Sequence, residues 1–309
     1  MISVEDVLWV RYAAPDLDLM EAFLADFGLQ VADRTAAALF MRGFGPNPVD
    51  HVTIKGEARG IGFAFKAKSL EDLWTLAREF NAVVETRSEP GGGQVVRIND
   101  PDGNQIEVVH GQATHQTSLS RPPFFFNPAT GRTRYNNTVR TKAQPSQVLR
   151  FGHVALHTAR FAQMRAFYQD VLGMRVSDSY HIEQPGNTIA SFMHCGLGKQ
   201  FVDHHTIALV GDGRSGFEHS AFEVLDMDDL ICGNAFLASR NRWKHSWGIG
   251  RHIEGSQLFD YWRDPFGNKV EHWTDGDLVN DDYTAGSVAL DPMTCLAQWG
   301  PPLPREFME

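Results

Sequence analysis

The feature that most constrains the fold of this chain is an internal repeat with an offset of 144 residues. The run WVRY at residues 9–12 reads as a strand, and apolar residues at helical spacing follow it up to Gly28. The run HVAL at residues 153–156 starts the same pattern, which stops at Gly173. A chain of 309 residues is long enough for two such halves, each with its own core.

Each half contains a second unit of the same kind. The run GFAF at residues 62–65 precedes a helical segment, and so does the run HSAF at residues 219–222. Both halves then end in the turn sequence Asp-Pro-X-Gly, followed by a strand that carries a glutamate, Glu107 or Glu271. The sequence therefore predicts four units of a strand, a helix and further strands, paired into two domains of an α+β fold.

The second of these turns predicts the register of a hairpin. The sequence DPFG at residues 264–267 suits a type I turn. In a three-residue hairpin loop with its glycine in the left-handed position, Asp264 pairs with Asn268. Counting back along the ladder then places Tyr261 directly opposite Glu271, on the same face of the sheet. Taken alone, such a glutamate is more often an ordinary surface residue.

The repeat and the composition between its copies suggest the domain boundaries. We predict a first domain at residues 1–112 and a second, metal-binding domain at residues 149–275. Residues 113–148 are rich in proline and lack sustained periodicity, so we expect a linker, anchored by buried phenylalanines at residues 124–126. Residues 276–309 are irregular but carry large aromatic residues, and we expect this tail to pack on the body of the protein.

Charge and composition argue against several classes of partner. The net charge of −10 disfavours a nucleic-acid partner, because phosphate binding needs a basic face. No apolar run approaches the roughly 18 residues that suggest a membrane span. The first residues show no secretory signal, so a cytoplasmic location is expected. Cys195, Cys232 and Cys295 form no C-x-x-C pair, which indicates neither a disulfide framework nor a zinc site.

The two halves differ at the positions that could bind a metal. The second half has His153, His219 and Glu271, whereas Trp9 and Gly62 stand in the first half where the second has histidines. Two imidazoles and one carboxylate form the facial triad of non-haem Fe(II) oxygenases, which leaves three octahedral positions open. A lone histidine is more often structural, but these residues occupy corresponding strands of the repeat. We therefore predict a site for Fe(II), with Mn(II) as an alternative, in the second half only.

Several motifs carry a resemblance to a known family. They are FGHVAL at residues 151–156, HHTIAL at 204–209, FEHSAF at 217–222, GRH at 250–252, and Tyr261 followed ten residues later by Glu271. Over nearly its whole length the chain resembles the type I extradiol ring-cleavage dioxygenases of the vicinal oxygen chelate superfamily. The resemblance implies two tandem vicinal-oxygen-chelate domains, each of two βαβββ modules forming an incomplete barrel, with mononuclear iron only in the C-terminal domain.

The resemblance also implies a reaction and roles for individual residues. The substrates would be a catecholic or polyhydroxylated aromatic compound and dioxygen, and the protein would be a homo-oligomer in aromatic-compound degradation. His205 would act as the acid/base residue, and strand alternation would turn its neighbour His204 to the other face. His252 and Tyr261 would hydrogen-bond the oxygens of the bound catecholate. Fourteen positions separate His205 from His219, about one fewer than in well-studied relatives.

Two other functions remain open at this level. One is a metal-dependent isomerase or lyase of the same superfamily, which would not need the three residues His205, His252 and Tyr261. The other is a non-catalytic protein that binds an aromatic ligand, although such proteins usually lack the metal ligands. The residues do not identify the catechol, and Phe192, Phe201 and Trp247 are candidates for an aromatic pocket that we leave unassigned.

Overall fold

The computed structural model describes residues 1–291 and 296–307, and the first half of the chain is built on one sheet. Its first unit consists of β1 (Val4–Ala14), α1 (Leu17–Phe27), β2 (Gln30–Arg34), β3 (Ala38–Arg42) and β4 (His51–Lys55). Its second unit consists of β5 (Arg59–Ala67), α2 (Leu70–Glu79), β6 (Val84–Thr86), β7 (Gln94–Asn99) and β8 (Gln105–His110). Cys195 and Cys232 are free thiols, and Cys295 lies outside the described residues.

The second half repeats this arrangement and adds the tail. The third unit consists of β9 (Val148–His157), α3 (Phe161–Asp170), β10 (Met174–His181), β11 (Thr188–Cys195), β12 (Val202–Asp203) and β13 (Ile207–Val210). The fourth consists of β14 (Gly216–Val224), α4 (Met227–Ser239), β15 (Lys244–Arg251), β16 (Leu258–Arg263) and β17 (Lys269–Thr274). The tail contributes β18 (Leu278–Val279), β19 (Gly286–Ala289) and a turn of 3-10 helix, Arg305–Phe307.

The two halves have the same sheet topology, which confirms the predicted repeat. The first sheet has the strand order β2-β3-β4-β1-β5-β8-β7-β6, with β1 parallel to β4 and antiparallel to β5. The second has the order β15-β16-β17-β14-β9-β13-β11-β10-β19, with β9 parallel to β13 and antiparallel to β14. The fold is therefore α+β, with two domains of two βαβββ modules each, as predicted.

Local sequence signals explain where the helices begin and end. Asp16 accepts hydrogen bonds from two backbone N–H groups at the start of α1, and Ser69 forms a capping box with Asp72 at the start of α2. Gly28 ends α1 with φ at 115°, a conformation that glycine adopts without strain. A Cβ at this position would lie 2.1 Å from the carbonyl oxygen of Ser146, so the close approach of that backbone also requires glycine.

Helix α1 of the first half packs against the sheet of the second half. Phe23 and Phe27 are fully buried. Phe27 stacks on the imidazole of His272 in β17, with ring centroids 3.7 Å apart, and meets the edge of Phe222 in β14 at 5.7 Å. The ring of His272 is also 2.7 Å from the carbonyl oxygen of Phe27 through its Nε2. These contacts fix β14 and β17, the two central strands on which the candidate site depends, against the other half.

The hairpin between β16 and β17 has the predicted register. The backbone N–H of Asp264 donates to the carbonyl of Asn268 at 2.9 Å, and Gly267 has φ at 93°. Tyr261 of β16 pairs with Glu271 of β17. The turn chemistry was therefore sufficient to fix which side chains lie opposite each other on this ladder.

The linker and the tail differ from each other in burial. Residues 111–147 contain no helix or strand. Phe125 and Phe126 are 78% and 70% exposed, so the expected buried anchors at these positions were wrong. In the tail, β19 extends the second sheet beside β10, and the side chain of Phe307 is buried. Among the described helices none is both long and apolar enough to cross a membrane.

Candidate metal centre and active site

His153, His219 and Glu271 meet on three adjacent strands of the second sheet. Their strands lie in the order β17, β14 and β9, and Ala221 of β14 pairs with both His153 and Glu271. The two histidine Nε2 atoms are 3.2 Å apart. The Oε2 atom of Glu271 is 3.3 Å from Nε2 of His153 and 3.2 Å from Nε2 of His219. Three donor atoms therefore form a nearly equilateral triangle.

The triangle fits a divalent metal ion. With metal–ligand bonds of about 2.2 Å, neighbouring octahedral donors are ~3.1 Å apart, close to the observed separations. Glu271 is fully buried, and neither of its oxygens accepts a well-formed hydrogen bond. A buried carboxylate without such partners is costly unless a cation compensates it. The donor set and the unsatisfied carboxylate both point to a metal at this position.

The charges of Glu271 and His153 suit metal binding. Burial alone would raise the pKa of Glu271, but its contacts with His153, His219 and His252 outweigh burial and hold that pKa well below its ordinary value. Burial lowers the pKa of His153, so that its imidazole is neutral and its lone pair is available. An ionised carboxylate and a neutral imidazole are the forms that coordinate metals.

The equivalent place in the first half is filled by protein groups. Glu107 accepts hydrogen bonds from Trp9 Nε1 at 2.9 Å, Arg11 Nη2 at 3.0 Å and Arg97 Nε at 2.8 Å. A Cβ on Gly62, which stands in the place of His219, would lie 1.8 Å from a backbone oxygen. Arginine charge therefore compensates the carboxylate in the first half, whereas the close ion-pair contacts of Glu271 with described residues are all with histidines.

His252 and Tyr261 lie beside this triangle. Nε2 of His252 is 2.9 Å from the hydroxyl of Tyr261 and 3.5 Å from Oε1 of Glu271, while its Nδ1 is 2.7 Å from the carbonyl oxygen of Leu296. Since that carbonyl only accepts, Nδ1 of His252 carries a proton, and Nε2 is the atom that pairs with the tyrosine hydroxyl. Burial, followed by the charge of Glu271, raises the pKa of Tyr261 well above its ordinary value. The phenol is therefore a hydrogen-bond donor.

His205 lies on the other side of His153, with ring centroids 4.4 Å apart. Burial, reinforced by neighbouring His153, lowers the pKa of His205 well below its ordinary value, so its ring is neutral. The expectation that strand alternation separates His204 from His205 was wrong. Both residues precede β13, which begins at Ile207, and their Nδ1 atoms are 3.2 Å apart.

Sequence reasoning missed a polar cluster around His204. Nε2 of His204 is 2.7 Å from Oδ2 of Asp178, which also accepts a hydrogen bond from the hydroxyl of Tyr283 at 3.0 Å. The other oxygen of Asp178 accepts from the backbone N–H of Gly286 at 2.7 Å. Glu254 completes the cluster. These residues come from β10, a loop and the tail, and no spacing in the sequence connects them.

A cavity of about 240 Å³ opens from the metal-binding triangle. His153, His205, His219, His252 and Tyr261 line one end. The rest of the lining is mostly apolar and comes from the second sheet and the tail. Phe192 and Trp247, which the sequence left unassigned, belong to it, whereas Phe201 is 64% exposed and does not.

Comparison of the sequence with known proteins finds a matching family and related enzymes. A sequence model of the Glyoxalase/Bleomycin resistance protein/Dioxygenase superfamily matches residues 150–272. Metapyrocatechase 2 of Cupriavidus necator is 31% identical over 299 residues, which cover 95% of this chain and 88% of that protein. An iron-dependent extradiol dioxygenase of Rhodococcus jostii (strain RHA1) is 27% identical, over 67% of this chain and 63% of that protein.

Solved structures share the fold. The homoprotocatechuate 2,3-dioxygenase of Brevibacterium fuscum, in complex with 3,4-dihydroxyphenylacetate, superposes with a TM-score of 0.80 at 19% identity, covering 99% of this chain and 92% of that one. The Mn(II)-bound glyoxalase of Novosphingobium aromaticivorans superposes with a TM-score of 0.78 at 24% identity, covering 99% and 95%. At these identities the likeness concerns the fold alone.

Proposed function

Because the chain belongs to the Glyoxalase/Bleomycin resistance protein/Dioxygenase superfamily and, within it, to the extradiol dioxygenases, we infer that it cleaves a catecholic ring with dioxygen. The protein is an extradiol ring-cleaving dioxygenase. The observation that carries this conclusion is the convergence of a two-histidine, one-carboxylate donor set with His205, His252 and Tyr261 at one end of a single cavity.

The metal we propose is Fe(II), held by His153, His219 and Glu271. The name of the Rhodococcus relative supports iron, and the Mn(II)-bound glyoxalase shows that the fold also accepts manganese. When bound, such an ion supplies Lewis acidity to the diol and open positions at which the diol and dioxygen can meet. His153 and His219 line the cavity, so an ion held by them would be reached from it.

His205 is the proposed proton acceptor. Its neutral imidazole lines the cavity next to His153, so a catechol bound at the metal end would lie within its reach. A buried neutral histidine has the free lone pair that general-base catalysis needs. Later in the reaction the same ring can return the proton to the ring-opened product.

His252 and Tyr261 are proposed to orient the substrate oxygens. The tyrosine hydroxyl is held by His252 on one side and lies opposite Glu271 on the ladder, so its position is fixed before substrate binds. The indole of Trp247 stacks on the phenol ring, with centroids 5.8 Å apart. With its proton turned to the substrate oxygen, this hydroxyl would stabilise the charge that develops there.

The test of the proposed function is dioxygen uptake. Protein reconstituted with Fe(II) under anaerobic conditions should consume one dioxygen per catechol and form a yellow ring-opened product. Protein stripped by a chelator is the control. No uptake by fully metal-loaded protein with any catechol, combined with isomerisation of a glutathione or other thiol adduct, would favour a glyoxalase-type isomerase instead.

The Tyr261→Phe enzyme should retain its metal and turn over about 3- to 10-fold more slowly, since one hydrogen bond is worth roughly 0.5–1.5 kcal/mol. Metal content is measured by elemental analysis and turnover by dioxygen uptake. Tyr135→Phe, at a position 78% exposed in the linker, is the matched control. Unchanged turnover in Tyr261→Phe would remove this residue from the mechanism.

We propose three further properties that the sequence predicts. They are the division into residues 1–112, 113–148, 149–275 and 276–309, a homo-oligomeric state, and a cytoplasmic location. Light scattering on the purified protein would measure the oligomeric state, and limited proteolysis would locate the domain boundaries.

A further inference from the structure

Besides the metal-ligand candidates, the cavity lining contains two apolar walls, and the space between them is called the slot below. One wall is formed by Tyr180, Ile189, Ala190, Phe192, Leu290 and Leu296. The other is formed by Trp247, Leu303 and Phe307, with the rings of Trp247 and Phe307 5.1 Å apart. The tail contributes part of both walls, namely Leu290, Leu296, Leu303 and Phe307. A substituent on the catechol ring would have to enter this space.

The charged groups of the cavity lining are carboxylates. They belong to Glu218 and Glu254. The neutral amide of Gln257 also lines the cavity, but no described lysine or arginine does. The undescribed residues read PMTC at 292–295 and ME at 308–309, so they add no base either. Lys269 lies nearby but is paired with Glu218 and with the carbonyl oxygen of Phe307. Burial lowers the pKa of His157 in the lining to about 4, so this ring is neutral.

We propose that the substrate is a catechol with an uncharged, apolar substituent, and that catechols with a carboxylate substituent are excluded. This inference rests on the proposed function and specifies its substrate class. An alkyl or aryl group in the slot replaces water against apolar walls, which is favourable in proportion to the area buried. A carboxylate there would lose its hydration without gaining a cation, and it would approach Glu254.

The test compares matched catechols that differ only at the end of a side chain. The pairs are 3-propylcatechol with 3-(2,3-dihydroxyphenyl)propanoate, and 4-propylcatechol with 3-(3,4-dihydroxyphenyl)propanoate. The pair with the substituent position that the enzyme cleaves faster decides the test. In that pair, kcat/KM should be about 100-fold or more higher for the propyl compound, because burying an uncompensated charge is unfavourable. Calorimetric titration under anaerobic conditions should show the same preference in Kd. Ratios within about 3-fold in both measurements would overturn the proposal.

Cleavage of unsubstituted catechol distinguishes failure of the proposed function from failure of the proposed substrate class. If catechol itself is not cleaved, the proposed function fails; if it is cleaved but the matched pairs react equally, only the substrate class fails. Leu290→Lys, which places a cation in the slot, should reduce the preference for the propyl compound at least 10-fold. Val288→Lys, at a position of β19 that is 48% exposed, is its control. The comparison on the unmodified enzyme decides the proposal if Leu290→Lys does not fold.

A second inference comes from a different set of contacts, the hydrogen-bonded series Asp178, His204 and His205. Two groups fix the carboxylate of Asp178, namely the backbone N–H of Gly286 and the hydroxyl of Tyr283. Asp178 then lies 2.7 Å from Nε2 of His204, and Nδ1 of His204 lies 3.2 Å from Nδ1 of His205. All three side chains are buried.

The direction of these hydrogen bonds follows from the carboxylate. An ionised carboxylate only accepts, so Nε2 of His204 carries a proton. With this single proton on His204, its Nδ1 is an acceptor, and Nδ1 of His205 donates to it. The lone pair of His205 is consequently on Nε2. We infer that Asp178 and His204 are positioning residues that hold His205 in the tautomer with an unprotonated Nε2.

These hydrogen bonds argue against a second metal site at Asp178, His204 and Glu254. Donor atoms of Asp178, His204 and Glu254 lie within 4.8 Å of one another, as they would around an ion. The direct contact of 2.7 Å between Asp178 and His204 instead describes a hydrogen bond. Elemental analysis should therefore find one metal ion per chain; two tightly bound ions would contradict the positioning role.

The tautomers can be read directly by NMR. Metal-free protein with 15N-labelled histidine contains 13 such rings, and the signals of His204 and His205 are assigned by His204→Asn and His205→Phe. We expect Nε2–H for His204 and Nδ1–H for His205. Asp178→Asn should change both signals and lower kcat by about 10- to 100-fold, with KM and metal content unchanged. Asp282→Asn is the control, and an Nε2–H tautomer at His205 would overturn the inference.

Discussion

Glu271→Ala protein should bind no stoichiometric metal and should lose ring cleavage by about 10³-fold or more, because metal-derived charge stabilisation is worth several kcal/mol. Glu271 is the one carboxylate of the donor triangle, and its loss removes both the third donor and the only negative charge of that triangle. Metal content is measured by elemental analysis after anaerobic loading. Thermal unfolding gives a second readout, since added Fe(II) or Mn(II) should raise Tm of the unmodified protein but not of the variant.

The repeat supplies a matched control for this experiment. Glu107→Ala makes the same change at the corresponding position of the first half, where arginines occupy the place of a metal. Its metal content should be unchanged. Its free energy of unfolding should fall by roughly 3–5 kcal/mol, because Arg11 and Arg97 lose a largely buried partner. Near-stoichiometric metal or retained cleavage in Glu271→Ala would refute the assignment of the ligands.

His205→Phe protein should keep its metal and its affinity for catechol but lose about 10²- to 10⁴-fold in kcat, the usual contribution of a general acid–base group. Phenylalanine preserves an aromatic ring against His153 and Phe192 while it removes the nitrogen lone pair of His205. Anaerobic titration with catechol measures binding, and single-turnover dioxygen uptake measures the chemical step.

The control for His205→Phe is the same substitution at His115, which is exposed in the linker. Metal content, Kd for catechol and kcat together identify the role of His205. Loss of metal from the variant would indicate a structural role instead, and an unchanged kcat would exclude it as the proton acceptor. A fall in kcat with unchanged metal content and Kd is the expected result.

The hairpin shows what local sequence can specify. The register that puts Tyr261 opposite Glu271 follows from one turn and a fixed two-residue period, and the structure has this register. The repeat extended this reasoning over 144 residues. Because corresponding strands of the two halves pair alike, aligning His153 with Trp9 and His219 with Gly62 was enough to single out one half as the candidate metal-binding half.

The same reasoning failed where the chain leaves regular structure. His204 and His205 were treated as strand residues with alternating faces, but they lie before β13, where no fixed period relates neighbouring side chains. Their rings therefore contact each other. The phenylalanines at 125 and 126 were expected to be buried because they are large and apolar, yet a segment without regular structure provides no adjoining core for them.

The sequence by itself determined the two-domain repeat, the strand pairing around the hairpin and the set of metal-ligand candidates, because each depends on short-range periodicity or on comparing the two copies. Only the tertiary structure decided which groups surround those candidates. Asp178 reaches His204 because β10, the loop before β13 and the tail pack together, and Leu290 and Phe307 reach the cavity because the tail folds back over it. Contacts between segments far apart in the chain depend on how the whole molecule packs, and no local pattern encodes them.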